Sequence, residues 1–145
     1  MKALIQRVKT ASVVVDGETI GEIEQGILLF LGVEKHDDLA LAQRMLNKIL
    51  KYRIFEDEVG RMGKSLKDIN GGLLVVSQFT LAADTKKGTK PSFSSAATPE
   101  QGLEIYETFL EQAKQAHAHV ASGRFGADMK VSLLNDGPVT FMFEL

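Results

Sequence analysis

The sequence predicts an α/β (α+β-like) domain, a mixed, mainly antiparallel or barrel-like sheet carrying two main helices. Three observations predict it. Two aliphatic runs, Gly26 to Val33 and Gly72 to Val76, are unbroken, as in strands buried on both faces. Asp16-Gly17, between two β-rich runs, is a hairpin signal, because a type I′ turn needs positive φ. Two segments, beginning near Leu39 and Leu103, repeat apolar residues at spacings of three and four. The chain has 145 residues, 44% apolar and 25% charged, which fits a single domain, residues 1–145, around one core.

The elements follow in order. Lys2 to Val8 is a short strand, and Ala11 to Val15 forms a hairpin with Glu18 to Glu24, where Gly21 suggests a bulge. Gly26 to Val33 is the first fully buried strand. Asp37 or Asp38 caps a helix whose stripe is Leu39, Ala42, Met45, Leu46, Ile49 and Leu50. Lys51 to Phe55 returns to extended structure, and residues 56–70 read as loop. After the strand from Gly72, residues 82–97 form a long aperiodic loop, a kind often functional. Thr98-Pro99-Glu100-Gln101 starts a helix, with Thr98 as N-cap, Pro99 at the first position and Gln101 completing a capping box. Its stripe is Leu103, Tyr106, Phe109, Leu110, Ala113 and Val120, and Gly123 stops it. Met129 to Leu134 is a strand, Asn135-Asp136-Gly137-Pro138 a turn, and Val139 to Leu145 the closing strand. About seven strands result.

Several chemistries are excluded. Without cysteine there is no disulfide, thiolate metal site or cysteine nucleophile. The start of the chain turns polar too soon for a signal peptide, and no run approaches a membrane span, so the expected location is the cytoplasm. A net charge of −2 gives no basic face for a long duplex, so any nucleic-acid contact is local. Gly63-Lys64-Ser65 ends like a phosphate-binding loop, but Glu58 stands where that loop needs glycine. His36, His117 and His119 read as solvated. The last two are two apart on the expected helix and so cannot share a metal. No Gly-x-Ser-x-Gly elbow and no paired carboxylates occur. Asp84 and Asp136 each stand alone and serve equally well as turn caps.

What remains is the end of the strand from Gly72. Ser77, Gln78 and Thr80, with Phe79 among them, follow an apolar run, and unpaired burial of such groups costs about 1–3 kcal/mol each. They are either a strand end with satisfied hydroxyls or the floor of a site with backbone N–H groups turned to a ligand. Lys86, Lys87 and Lys90 lie in the following loop, either solvated or placed to hold a phosphate, and Arg7 and Lys9 add to that field. Gly137-Pro138 is an ordinary turn or a cis peptide.

Ser77-Gln78-Phe79-Thr80 together with Asn135-Asp136-Gly137-Pro138-Val139-Thr140 resembles the D-aminoacyl-tRNA deacylases. The likeness runs the whole chain, through Gln6-Arg7-Val8, Ala11-Ser12-Val13, Gly32-Val33, Arg53-Ile54-Phe55, Leu81-Ala82-Ala83-Asp84, Pro91-Ser92-Phe93 and Gly126-Ala127-Asp128-Met129. Arg61 to Ser65 departs from the usual Lys-Met-Asn type of segment, and Lys90 stands where arginine is common. The resemblance implies a homodimer of the deacylase fold that hydrolyses the ester of D-aminoacyl-tRNA, and of mischarged glycyl-tRNA, without cofactor or metal. Its partners would be the 3′ acceptor end of aminoacyl-tRNA and a second copy of itself, not DNA or a membrane. It implies that Gly137 and Pro138, cis, enter the partner subunit's pocket and exclude L side chains, with Arg7 holding them.

The resemblance also makes Ser77, Gln78, Phe79 and Thr80 the candidate catalytic residues, with N–H groups of Gln78, Phe79 and Thr80 facing the oxyanion. Thr80 lacks an evident base and so orients, while the tRNA 2′-hydroxyl assists. Lys86, Lys87, Lys90, Pro91, Phe125 and Met129 are the further candidates for the tRNA end. Two other readings stay open, a non-catalytic module that binds the aminoacyl end and a generic small esterase using Ser77 or Thr80.

Overall fold

The apolar runs and turn residues assemble into eight strands and three helices in the computed structural model, which describes residues 1–145. The strands are β1 (Lys2–Val15), β2 (Glu18–Ile23), β3 (Gly26–Gly32), β4 (Arg53–Glu56), β5 (Met62–Ser65), β6 (Gly72–Ser77), β7 (Val120–Ser122) and β8 (Lys130–Glu144). The helices are α1 (Leu39–Lys51), α2 (Leu66–Ile69) and α3 (Pro99–Ala116), and Phe79–Ala82 forms a 3-10 turn.

The main sheet runs β2-β1-β3-β6-β7, with β8 on the other side of β1. Pairs within β1, β2, β3 and β8 are antiparallel, while β3-β6 and β6-β7 are parallel. The sheet curls until β2 nears β7. A Cβ on Gly21 would lie 2.5 Å from the Ser122 carbonyl oxygen, so only glycine fits there. The expected bulge is beside it: Val13 faces Gly21 and Val14 faces Thr19, which leaves Ile20 unpaired.

Two cores result. Ala3, Ile5, Ile27, Leu29, Leu73 and Val75 face the helices, and Val8, Val13, Leu28, Leu74 and Val76 fill the concave side. Both aliphatic runs are therefore buried on both faces, as expected. β1 is one strand rather than two. Its pairing with β8 slips around Val8, and exposed Lys9 and Thr10 precede residues that point to the other core. One extra residue in a strand exchanges its faces, so β1 serves both cores without a break.

Helix starts follow their caps. Asp38 caps α1, accepting from the Leu41 N–H at 2.8 Å. Thr98 caps α3 with Pro99 next. Gln101 does not close a capping box there: its amide donates to the Lys35 and Asp37 carbonyls at 3.1 and 3.2 Å, tying α3 to the loop before α1. The closed box is in the segment expected as loop. Ser65 N–H donates to Asp68 Oδ2 at 2.8 Å, and Asp68 N–H donates to Ser65 Oγ at 3.2 Å, which nucleates α2. The Ser65 N–H, then its hydroxyl, hold the Asp68 carboxyl below its usual range.

α3 ends at Ala116, well before Gly123. Val120 is therefore in β7, and the helix buries Ile105 in place of the half-exposed Leu103. His117 is the C-cap and is buried, its Nε2 2.6 Å from the Gly71 carbonyl oxygen. His119 lies beyond the helix with Nε2 3.4 Å from Asn70 Nδ2. Only His117 departs from the solvated reading; His119 is exposed. The expected turn at Asn135–Pro138 is no turn between strands either. β8 runs on, with Asn135 opposite Val8 and Thr140 opposite Gln6, so four residues arch out of the strand beside Arg7.

Candidate functional site

β6 emerges from the core at Ser77, and the chain turns at once into the 3-10 turn. A cleft of about 470 Å³ opens there, a size that suits a small-molecule moiety. Its walls come from the end of β6 (Val76 to Phe79), the start of α3 (Thr98, Pro99, Gly102, Tyr106) and the segment Phe125–Met129. Parallel strands β3 and β6 end at this cleft, the usual place for a ligand in such sheets.

The backbone explains the polar strand end. Gln78 N–H donates to the Leu31 carbonyl at 2.8 Å, the last rung between β3 and β6. It is therefore not free for a ligand, which corrects the expected set of three N–H donors. The first bonded N–H of the 3-10 turn is that of Leu81, to the Gln78 carbonyl at 3.2 Å. A helical turn leaves its leading N–H groups without an intrahelical partner, and here those are Phe79 and Thr80. Gln78 acts instead through its side chain, whose amide donates to Thr80 Oγ1. Ser77 Oγ lines the cleft with no partner in the chain.

Tyr106 was legible only as part of an apolar stripe. It is buried, its hydroxyl donates to the Val75 carbonyl at 3.2 Å, and burial pushes its pKa up to about 12 against a hydrogen bond with Ser122. Its ring meets Phe125 at 5.7 Å. Gly102 faces the same ring, and a Cβ there would meet Phe125 Cζ at 3.4 Å, an ordinary contact distance. Asp128, the other titratable residue in the cleft wall, is engaged by Lys130 Nζ at 3.2 and 3.3 Å. No histidine lines the cleft, and no three His, Asp or Glu side chains are grouped to hold a metal ion.

Of the expected site residues, the fold gathers Ser77, Gln78, Phe79, Phe125 and Met129 around the cleft, with Thr80 beside it. Lys86, Lys87, Lys90 and Pro91 lie outside, exposed on a hairpin whose base is the Asp84–Ser92 bridge. Asp84 caps its turn by accepting from Lys86 N–H at 2.9 Å. Arg7, Gly137 and Pro138 form a second group, absent from the walls of this cleft. The Gly137-Pro138 peptide is cis. Arg7 is 9% exposed; its Nε donates to the Asp136 carbonyl at 2.9 Å and its Nη1 to the Ile54 carbonyl at 2.7 Å. Asn135 Oδ1 accepts from Val139 N–H at 3.0 Å and closes the arch.

A family model described as D-Tyr-tRNA(Tyr) deacylase matches residues 4–144. A D-aminoacyl-tRNA deacylase of Pseudoalteromonas translucida (strain TAC 125) is 64% identical over 141 residues, 97% of each chain. One of Stutzerimonas stutzeri (strain A1501) is 59% identical over 144 residues, 99% of each. Among solved structures, one titled c-Myc DNA Unwinding Element Binding Protein superposes with a TM-score of 0.96 at 44% identity, covering 100% of this chain and 99% of that one. A probable eukaryotic D-amino acid tRNA deacylase has the same fold, with a TM-score of 0.88 at 16% identity over 99% and 98% of the two chains.

Proposed function

The chain belongs to the D-Tyr-tRNA(Tyr) deacylase family, and from that premise we propose that it frees tRNA of D-amino acids, and of mischarged glycine, by hydrolysing the ester at the 3′ acceptor end. It is an ester hydrolase. The observation that carries the mechanism is the pair of leading N–H groups of Phe79 and Thr80, next to a cleft lined by no histidine.

The terminal adenosine enters between Phe125, Met129 and the start of α3, and its ester carbonyl meets the two N–H groups. Attack by water builds negative charge on that oxygen, which pre-oriented N–H donors stabilise at no cost of reorganisation. Tyr106 keeps its proton at neutral pH and so does not serve as base, and Asp128 stands at the solvent-exposed edge of the cleft beside Lys130. The substrate's own 2′-hydroxyl then assists the water. Thr80 accepts a hydrogen bond from Gln78 and so keeps its own hydrogen to donate, an orienting role rather than a nucleophilic one.

Chirality is set by a second subunit. Gly137 and Pro138 stand away from the cleft of their own chain, on an arch fixed by Arg7, and reach the partner's cleft in a homodimer. Leu133 and Leu134, before the arch, and Met142, after it, are exposed apolar residues that such a contact would cover. The arch fills the space an L side chain needs, so discrimination comes from exclusion. Lys86, Lys87, Lys90 and Pro91 hold the acceptor end by charge and shape. The chain works in the cytoplasm, where its substrate is; no helix in it is long and apolar enough to cross a membrane. A DNA-directed reading suggested by the name of one structural relative has no basic face to support it, the net charge being −2.

Hydrolysis of matched D-Tyr-tRNA and L-Tyr-tRNA by the purified protein tests this. Release of the D-amino acid with the L form intact is expected. Equal release would retain an esterase and remove the exclusion mechanism, while binding without release would make the chain a recognition module.

A further inference from the structure

We infer that Phe79 and Phe93 form a stacking platform for the unpaired nucleotides that precede the terminal adenosine, an inference that rests on the aminoacyl-tRNA reading above. Both rings are exposed, Phe79 by 61% and Phe93 by 40%, yet they pack on each other with centroids 5.1 Å apart at 51°. An exposed pair of packed rings offers a flat apolar face on which a planar group can stack. Its neighbours fit one kind of cover. Phe79 is at once a wall of the cleft and the first residue of the 3-10 turn, so the platform is continuous with the site where the ester sits. Phe93 follows directly on the Asp84–Ser92 bridge that closes the lysine hairpin. That hairpin carries three lysines against one aspartate, in a protein whose net charge is −2. An aromatic face beside a local positive strip suits bases stacked on rings with phosphates alongside, the pattern of single-stranded nucleic-acid recognition. A protein partner would need no such charge next to the rings.

Phe93 is therefore a binding residue for the strand rather than for the amino acid. The test is a binding cycle that does not depend on hydrolysis. An uncharged acceptor minihelix with its unpaired 3′ end is compared with the same RNA made abasic at the two positions before the terminal adenosine. Removing those bases keeps the phosphates and takes away what would stack. With the unaltered protein the abasic RNA should bind about tenfold more weakly. With Phe93→Leu the difference between the two RNAs should shrink several-fold, and Phe93→Trp should restore it; a difference undiminished by Phe93→Leu overturns the role of Phe93. Equal binding of both RNAs by the unaltered protein overturns the platform. So does a Phe93→Leu protein that loses its subunit contact in sedimentation, which would make the rings a contact between copies. Failure of the deacylase reading is distinct: it would be absence of D-Tyr-tRNA hydrolysis, whatever the RNA binding shows.

Discussion

Arg7 Nε and the Asp136 carbonyl oxygen lie 2.9 Å apart, joining the first strand to an arch in the last. The same guanidinium reaches the Ile54 carbonyl at 2.7 Å, so one buried side chain ties together three separate segments. A flat fork of donors makes this possible, and a lysine ammonium does not reproduce its geometry. Arg7→Lys should leave the protein folded and lower the D-over-L preference at least tenfold, measured on matched D-Tyr-tRNA and L-Tyr-tRNA. An unchanged ratio would show that Arg7 has no part in selectivity.

Gly137 sits at φ +147°, where side chains are strained, and a Cβ would lie 2.6 Å from Val139 Cγ2. Gly137→Ala should cost about 1–3 kcal/mol in urea unfolding. Its loss of selectivity should exceed that of Arg7→Lys, because the arch itself is displaced.

Thr80 contributes one hydrogen bond with the Gln78 amide. Thr80→Ala should slow single-turnover hydrolysis of D-Tyr-tRNA by about fivefold, the worth of one neutral hydrogen bond near 1 kcal/mol. Loss of all turnover with RNA binding intact would instead make the hydroxyl the nucleophile.

Burial raises the Tyr106 phenol to about 12 from 10.0. Below pH 10 folded and unfolded chains both hold that proton. Between 10 and 12 the unfolded chain releases it first, so the folded state is disfavoured as pH rises. Stability should fall by about 1.4 kcal/mol per pH unit through that window. Tyr106→Phe, compared at each pH, should lack this component.

Ser65→Ala removes the cap of α2 and should cost about 1 kcal/mol in thermal or urea unfolding. Hydrolysis should be unaffected, because no residue of the helix lines the cleft.

That cap shows what kind of information the sequence exposes. The aliphatic strands and the starts of α1 and α3 depend on neighbours a few residues apart, and they were legible. Ser65 and Asp68 carry an equally local signal, obscured by the charges and glycines around them. Asn135-Asp136-Gly137-Pro138 carries turn chemistry and reads as a turn between two strands. Only its pairing with β1, far away in sequence, keeps the strand continuous. Of the site, Ser77 to Thr80 stood out as polar residues on an apolar strand. Tyr106 did not, since a buried tyrosine acquires its meaning from Phe125 and Val75 across the fold. Which N–H of the strand end is free depended on Leu31, a partner supplied by β3.

β1 borders β2, β3 and β8 at once, and Gln6 pairs with Thr140, 134 positions later. During synthesis the strand made first therefore waits with one edge bare until the strand made last has emerged. Its hairpin with β2 and its pairing with β3 form early, but the second edge stays a template for any other nascent chain nearby. Such long-range pairing is slow to form. A polypeptide interrupted before residue 130 would leave that edge of β1 without its partner, open to pairing between chains.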